Sequence, residues 1–113
     1  MHELSIVTSI IKIAEEELAK TNAAYIEEIE LEIGDLSGIE TDALNFVWPA
    51  AVKNTALEKA SKKINIIKAE AKCTECDRVF EIENIYDPCP GCHSIQKTIL
   101  RGRELKIKSL KVS

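Results

Sequence analysis

The chain has 113 residues, a formal net charge of −4 and 45% apolar residues, few of them aromatic. That suits one modest domain with an aliphatic core, or a small domain carrying a lesser lobe, and it excludes a disordered chain. The acidic balance argues against nucleic acid or an anionic membrane as the main partner. No apolar run approaches the roughly 20 residues that span a bilayer.

Residues 4–20 predict a helix. Leu4, Val7, Ile11, Ala14 and Leu18 fall on one stripe with Ile6, Ile10 and Ile13 beside it, while Ser5, Thr8, Ser9, Lys12, Glu15 and Glu16 take the other side. The same glutamates, close behind the start, argue against a signal peptide, so a cytoplasmic protein is expected. Over residues 25–33 the period changes from 3.6 to 2. Ile29, Leu31 and Ile33 point one way and Glu28, Glu30 and Glu32 the other, which predicts a half-buried strand ending at Gly34-Asp35.

A turn through Ser37-Gly38 leads to Thr41-Asp42, which can start a second helix over about 42–53. Leu44, Val47 and Ala51 share one face of it with Phe46 nearby, and Pro49 should kink or break it. Residues 62–71 and 103–112 predict two further strands, each changing parity midway as a bulged strand would. Lys106 and Lys108 alternate outward in the last one, as the glutamates do in the first. Cross-strand pairing of the two rows is one reading, and two solvated faces are the preferred one. The pattern is α+β, with two helices and three strands.

Between the last two strands lies CTECDRVFEIENIYDPCPGC. Cys73 and Cys76, then Cys89 and Cys92, are each separated by two residues, and twelve residues lie between the pairs. One tight turn can aim both sulfurs of a CxxC at a single ion, and a second turn closes a tetrahedral four-sulfur shell. Asp77 and His93 follow the second cysteine of each pair, where such knuckles often need positive φ. A redox CxxC needs only one pair with a reactive thiol at a helix start, and nothing here supplies one. Iron in a four-sulfur site is chemically open, but the loop lacks an aromatic shell, so a structural Zn(II) is preferred. Val79–Ile82 has strand character and can form a small ribbon between the knuckles. A lobe of about 25 residues must draw most of its folding free energy from its metal. His93 reads as an exposed turn residue.

The chain opens Met1-His2-Glu3. The α-amine, the amide nitrogen of residue 2 and the His2 imidazole can line one edge of a metal, with Glu3 or another donor completing a plane. Such a nitrogen-rich set suits Ni(II) or Cu(II) better than Zn(II). On local chemistry alone, an inert, solvent-exposed histidine near a chain end is the preferred reading.

Four landmarks in order, MHELS, EIGDLSGIE at 32–40, CTEC…CPGC at 73–92 and GRELKIKSLKV at 102–112, resemble the HypA/HybF family. These are the nickel metallochaperones of [NiFe]-hydrogenase maturation, and the resemblance runs essentially end to end. It implies transported Ni(II) at Met1, His2 and Glu3, with Glu40 a weaker candidate, and structural Zn(II) on Cys73, Cys76, Cys89 and Cys92. It implies two helices on a small mixed three-stranded sheet with an inserted rubredoxin-like or zinc-ribbon lobe. The expected division is 1–71 plus 98–113 for the nickel-binding α/β domain and 72–97 for the zinc lobe. Expected partners are a nickel-handling GTPase of the maturation pathway and the hydrogenase large-subunit precursor, without nucleic acid or membrane. A homodimer is one possible assembly, and urease maturation a further destination. Two positions depart from the family pattern: His93 stands where glycine is frequent, and Lys111 where many members are acidic.

The expected function is a non-enzymatic nickel carrier. A zinc-ribbon module for nucleic acid or the transcription machinery would need a basic, aromatic-bearing face that this chain lacks. A zinc hydrolase would need an open metal position, which four thiolates do not leave.

Overall fold

The computed structural model describes residues 3–113. Their order is α1 (Glu3–Ala19), β1 (Ile26–Gly34), α2 (Thr41–Ala51), β2 (Ser61–Ile67), β3 (Glu70–Cys73), β4 (Val79–Glu81), β5 (Lys97–Arg101) and β6 (Leu105–Val112). Strands form two three-stranded sheets, ordered β2-β1-β6 and β4-β3-β5. The chain divides into two compact units. The first holds residues up to Leu31, Ile39–Ile64 and Ile107–Ser113; the second holds Glu32–Gly38 and Asn65–Lys106. No described helix is long and apolar enough to cross a membrane.

In the first unit, α1 buries Val7, Ile10, Ile11 and Ala14, while Leu4 and Ile13 stay about half exposed. The buried stripe is therefore rotated from the one that starts at Leu4. α2 buries Leu44 and Trp48, and Val52 just beyond it continues the four-residue spacing. Phe46 lies away from that stripe and is 85% exposed. Each fully buried aliphatic side chain here is worth roughly 1.5–3 kcal/mol. Pro49 does not break α2; the helix runs through it and ends at Ala51, where the Val52 N–H closes the last turn on the Trp48 carbonyl at 3.0 Å.

β1 is the central strand and keeps the expected alternation, burying Ile29, Leu31 and Ile33. It runs antiparallel to β6: Tyr25 and Ser113 exchange two backbone hydrogen bonds at 3.1 and 3.0 Å. Its partner on the other side, β2, follows after α2, and Glu30 pairs with Lys63 as Asp35 bonds Ile67, so both strands advance together. That parallel pair with a helical crossover makes the sheet mixed. Charge pairs cross from β1 to β6: Glu27 to Lys111 at 3.7 Å, Glu30 to Lys108 at 3.7 Å and Glu32 to Lys106 at 3.3 Å. The structure corrects the preferred reading of two solvated faces: the antiparallel register sets each lysine opposite a glutamate, and they pair at a few tenths of a kcal/mol per exposed pair. Half-buried Ile107 and Leu110 stand three residues apart, as do Ile26 and Ile29, so both strands change parity.

Residues 62–71 are not one bulged strand. The chain leaves the first sheet after Ile67 and enters the second at Glu70. A bulge does occur, between Glu70 and Ala71 in the β3–β5 pairing. The second unit has a small apolar cluster of Ala69, Ala71 and Ile82, with Leu36, Phe80 and Ile99 packed against it.

Within that unit Gly34 and Gly102 approach backbone to backbone. A Cβ on Gly34 would sit 2.0 Å from the Gly102 carbonyl oxygen, and one on Gly102 would sit 2.7 Å from Ala69. Hydrogen bonds from Gly34 N–H to the Glu104 carbonyl (2.8 Å) and from Leu36 N–H to the Gly102 carbonyl (2.6 Å) hold the segments at that distance. Gly34→Ala should therefore destabilise the protein by about 3 kcal/mol or more. Gly38 has φ +80 but nothing near its missing Cβ, so Gly38→Ala should cost only about 1 kcal/mol. Denaturant midpoints of the two variants check the ranking, and equal losses would refute the steric account.

Candidate metal centre

Each cysteine pair sits on a turn that the backbone specifies twice over. Cys73 ends β3 and the first knuckle turns the chain into β4. The Cys73 N–H donates to the Arg78 carbonyl at 2.8 Å and the Asp77 N–H to the Cys73 carbonyl at 3.0 Å. The second knuckle repeats both bonds: Cys89 N–H to Ser94 carbonyl at 2.8 Å and His93 N–H to Cys89 carbonyl at 2.9 Å. Asp77 and His93 take φ of 65° and 64°, the left-handed conformation expected after each second cysteine.

The linking loop is stitched locally. The Asp87 carboxylate accepts the N–H groups of Glu83 (2.8 Å) and Asn84 (3.2 Å), and Asn84 Oδ1 accepts the Tyr86 N–H at 2.8 Å. Lys97, opposite Cys73 in the β3–β5 register, donates its ammonium to the carbonyls of Ile85 (2.6 Å) and Ile95 (3.0 Å). Sequence reading gave Lys97 no role; a lysine donor to two loop carbonyls carries no pattern that would reveal it.

The result brings Cys73, Cys76, Cys89 and Cys92 together, with all four Sγ atoms within 4.8 Å of one another. Sulfurs meet across the knuckles, Cys73 to Cys92 at 3.5 Å and Cys76 to Cys89 at 3.6 Å. A tetrahedral shell with Zn–S bonds of about 2.3 Å has S···S edges of about 3.8 Å, so the set fits a four-thiolate ion without an open position. Cys73 and Cys89 are buried and the second cysteine of each pair is exposed.

Proton affinities of the free thiols split in the same way. The N–H of Cys92 and, after burial opposes it, that of Gly91 lower the Cys89 thiol to about 7. Cys73 is also lowered, chiefly by the Cys76 N–H. For Cys92 the Ser94 N–H pulls downward, but the Cys73 thiol, burial and the other two sulfurs push it up to about 12. Cys76 is raised for the same kind of reason: the Arg78 N–H lowers it, and the Cys89 thiol, burial and Cys73 outweigh that bond. Negative charge thus collects first on the leading cysteine of each knuckle, and only a cation can strip the other two near neutral pH.

Among the described residues this tetrad is the only group of three or more metal-ligating side chains. Glu3 is the half-buried first residue of α1, and Glu40 is the exposed residue that precedes α2, in extended conformation and without a side-chain capping bond. Neither joins such a group. Met1 and His2 lie outside the described residues.

Residues 1–112 match the family model described as hydrogenase/urease nickel incorporation, metallochaperone, hypA. The chain belongs to the HypA family. Its relatives include the hydrogenase maturation factor HypA of Parabacteroides distasonis, 43% identical over 97% of this chain and 96% of that one. Another is the hydrogenase maturation factor HypA of Francisella philomiragia, 36% identical over 97% of each. The solution structure of the Ni metallochaperone HypA from Helicobacter pylori superposes with a TM-score of 0.70 at 30% identity, covering 99% of this chain and 97% of that one. The HypA family is one of nickel metallochaperones for hydrogenase maturation, its α+β fold is the one seen here, and the four cysteines form a metal-binding group within it.

Two outcomes follow from the knuckle geometry. Zn²⁺ added to the metal-free chain at pH 7 should release about three to four protons, and its affinity should climb steeply from pH 6 to 8. Calorimetry in buffers of different ionisation enthalpy reads the proton count, and release of fewer than two would contradict the four-thiolate shell. His93→Gly should leave metal retention intact, whereas the β-branched His93→Val should weaken it by about 1–2 kcal/mol. Chelator competition reads both; equal losses would show that the imidazole matters and not the backbone.

Proposed function

We propose that the protein is a nickel carrier rather than an enzyme, working in the cytoplasm with a structural zinc centre. The family match over residues 1–112 carries this reading. Ni(II), the cargo, is taken by the Met1 α-amine, the His2 imidazole and Glu3, with Glu40 a weaker additional donor. Zn(II) sits on Cys73, Cys76, Cys89 and Cys92, whose convergence supports a closed thiolate shell. When bound, zinc supplies fixed positive charge and a cross-link between the knuckles, with no vacant position for substrate. A carrier must hold its cargo and release it, which suits an affinity in the micromolar range, about −8 kcal/mol. Delivery runs through a nickel-handling GTPase of the pathway to the hydrogenase large-subunit precursor, and urease is a second destination.

Nickel titration of the zinc-loaded, untagged protein tests the cargo site. His2→Ala and a version extended before Met1 should each lose nickel affinity at least tenfold, with zinc content unchanged. Equal binding by all three proteins would eliminate the terminal site. X-ray absorption at the zinc edge should show four sulfurs, and a nitrogen or oxygen ligand would remove the four-thiolate assignment.

A further inference from the structure

We infer that the outer edge of β6, with the groove beside it, is a docking site for an extended segment of another protein in which carboxylates alternate with aliphatic residues. β6 lies at one end of the β2-β1-β6 sheet, so among the described residues no strand covers its outer edge. Ser113 directs its backbone groups at Tyr25, just before β1, so the Val112 N–H points the other way, to the open side. Along this edge runs a groove of about 430 Å³ whose apolar lining is Ile13 of α1 and Ile107, Leu110 and Val112 of β6, with Glu17, Thr21 and Ser109 as its polar members. Ile13 leaves 48% of its surface exposed there. An open strand edge beside an apolar trough is the arrangement that strand addition uses: main-chain bonds give affinity, and alternate side chains enter the trough.

Charge decides what fits. Lys108 and Lys111 stand on the face of β6 away from the groove, with side chains 53% and 70% exposed although each reaches a β1 glutamate. A second copy of the chain is a poor occupant. β6 against β6 would place these lysines opposite lysines, and the sheet's other edge, β2, carries Lys62 and Lys63; like charges directly opposite are destabilising. The strand that does sit beside β6 is β1, IEEIELEIG, which buries isoleucine and leucine on one face and sets glutamates against the lysines on the other. An incoming strand with the same alternation would cover Ile13, Leu110 and Val112 and add carboxylates to the exposed side of the lysine row. Lysine on an edge also discourages indiscriminate pairing, so the same residues select an acidic strand and repel others.

The test uses the zinc-loaded full chain and an eight-residue peptide of alternating isoleucine and glutamate, N-methylated at every second residue so that only one edge can pair. Amide chemical shifts should move along residues 107–113 and around Ile13, and affinity should fall as salt is raised. The matching isoleucine–lysine peptide should bind at least tenfold more weakly. Ile13→Glu places a carboxylate in the groove, and Val112→Pro removes the outward donor while leaving the Tyr25–Ser113 bonds. Each should reduce peptide binding at least tenfold with unchanged circular dichroism and nickel binding. Absence of shifts on β6, equal affinity for both peptides, or indifference to Ile13→Glu would overturn the inference. So would a concentration-dependent dimer that Val112→Pro dissociates, since a second copy would then be the occupant. Nickel binding is read separately, so failure here leaves the cargo site untouched.

Discussion

Four sulfur atoms within 4.8 Å of one another cannot all be anions unless a cation lies among them. The second unit is organised around that constraint. Its apolar cluster contains two alanines and one isoleucine as its buried members, far too little area to hold the 49 residues of Glu32–Gly38 and Asn65–Lys106 against chain entropy. The knuckles supply what the cluster lacks, provided a metal fills them. Their N–H donors lower the proton affinity of the buried leading cysteines, so these two give up their protons first as the metal arrives. Left-handed backbone at Asp77 and His93 then becomes a cost that the metal offsets, and not a defect of the turn.

The first unit has the opposite balance. Its core of Val7, Ile10, Ile11, Ala14, Ile26, Ile29, Leu31, Leu44, Trp48 and Leu57 is built from ordinary aliphatic burial. The cross-strand rows of Glu27, Glu30 and Glu32 with Lys111, Lys108 and Lys106 add little energy but fix which strands are neighbours. Slippage by one residue would place like with unlike faces and lose every pair, so the rows act on register more than on stability. The first unit therefore rests on a core of its own, and the second has little core beside the knuckles.

What the sequence made legible follows from how local each signal is. β1 alternates from Ile29 to Ile33 and was readable as a strand, and the CxxC spacing marked the four cysteines that converge and the positive φ at Asp77 and His93 because each knuckle closes on itself. Trp48 was missed as a core residue because Leu44, Val47 and Ala51 also share a helical face, and only packing against α1 selects Leu44, Trp48 and Val52. Residues 62–71 read as one bulged strand because a strand that changes sheets and a strand with a bulge both change parity. Gly34 was readable locally only as the end of a strand, and Gly102 gave no local sign. Their requirement for glycine arises from a backbone contact across 68 positions of sequence, and they surface only as landmarks of the family resemblance.

A carrier has two incompatible demands on metal, permanence and release, and the proposed assignments separate them chemically. Closed thiolate shells hold a soft, four-coordinate ion by chelation from two rigid turns, and loss of that ion means loss of local fold. A set of amine, amide and imidazole nitrogens on one short stretch of chain does not cross-link two distant segments as the knuckles do. It can therefore exchange with a competing ligand without unfolding anything. Ligand type keeps the two ions apart as well: thiolates in a tetrahedron suit zinc, and amine, amide and imidazole nitrogens in a plane suit nickel. On this reading zinc keeps the second unit folded through repeated cycles of loading and delivery, while the cargo ion changes hands at a separate and chemically different set of donors.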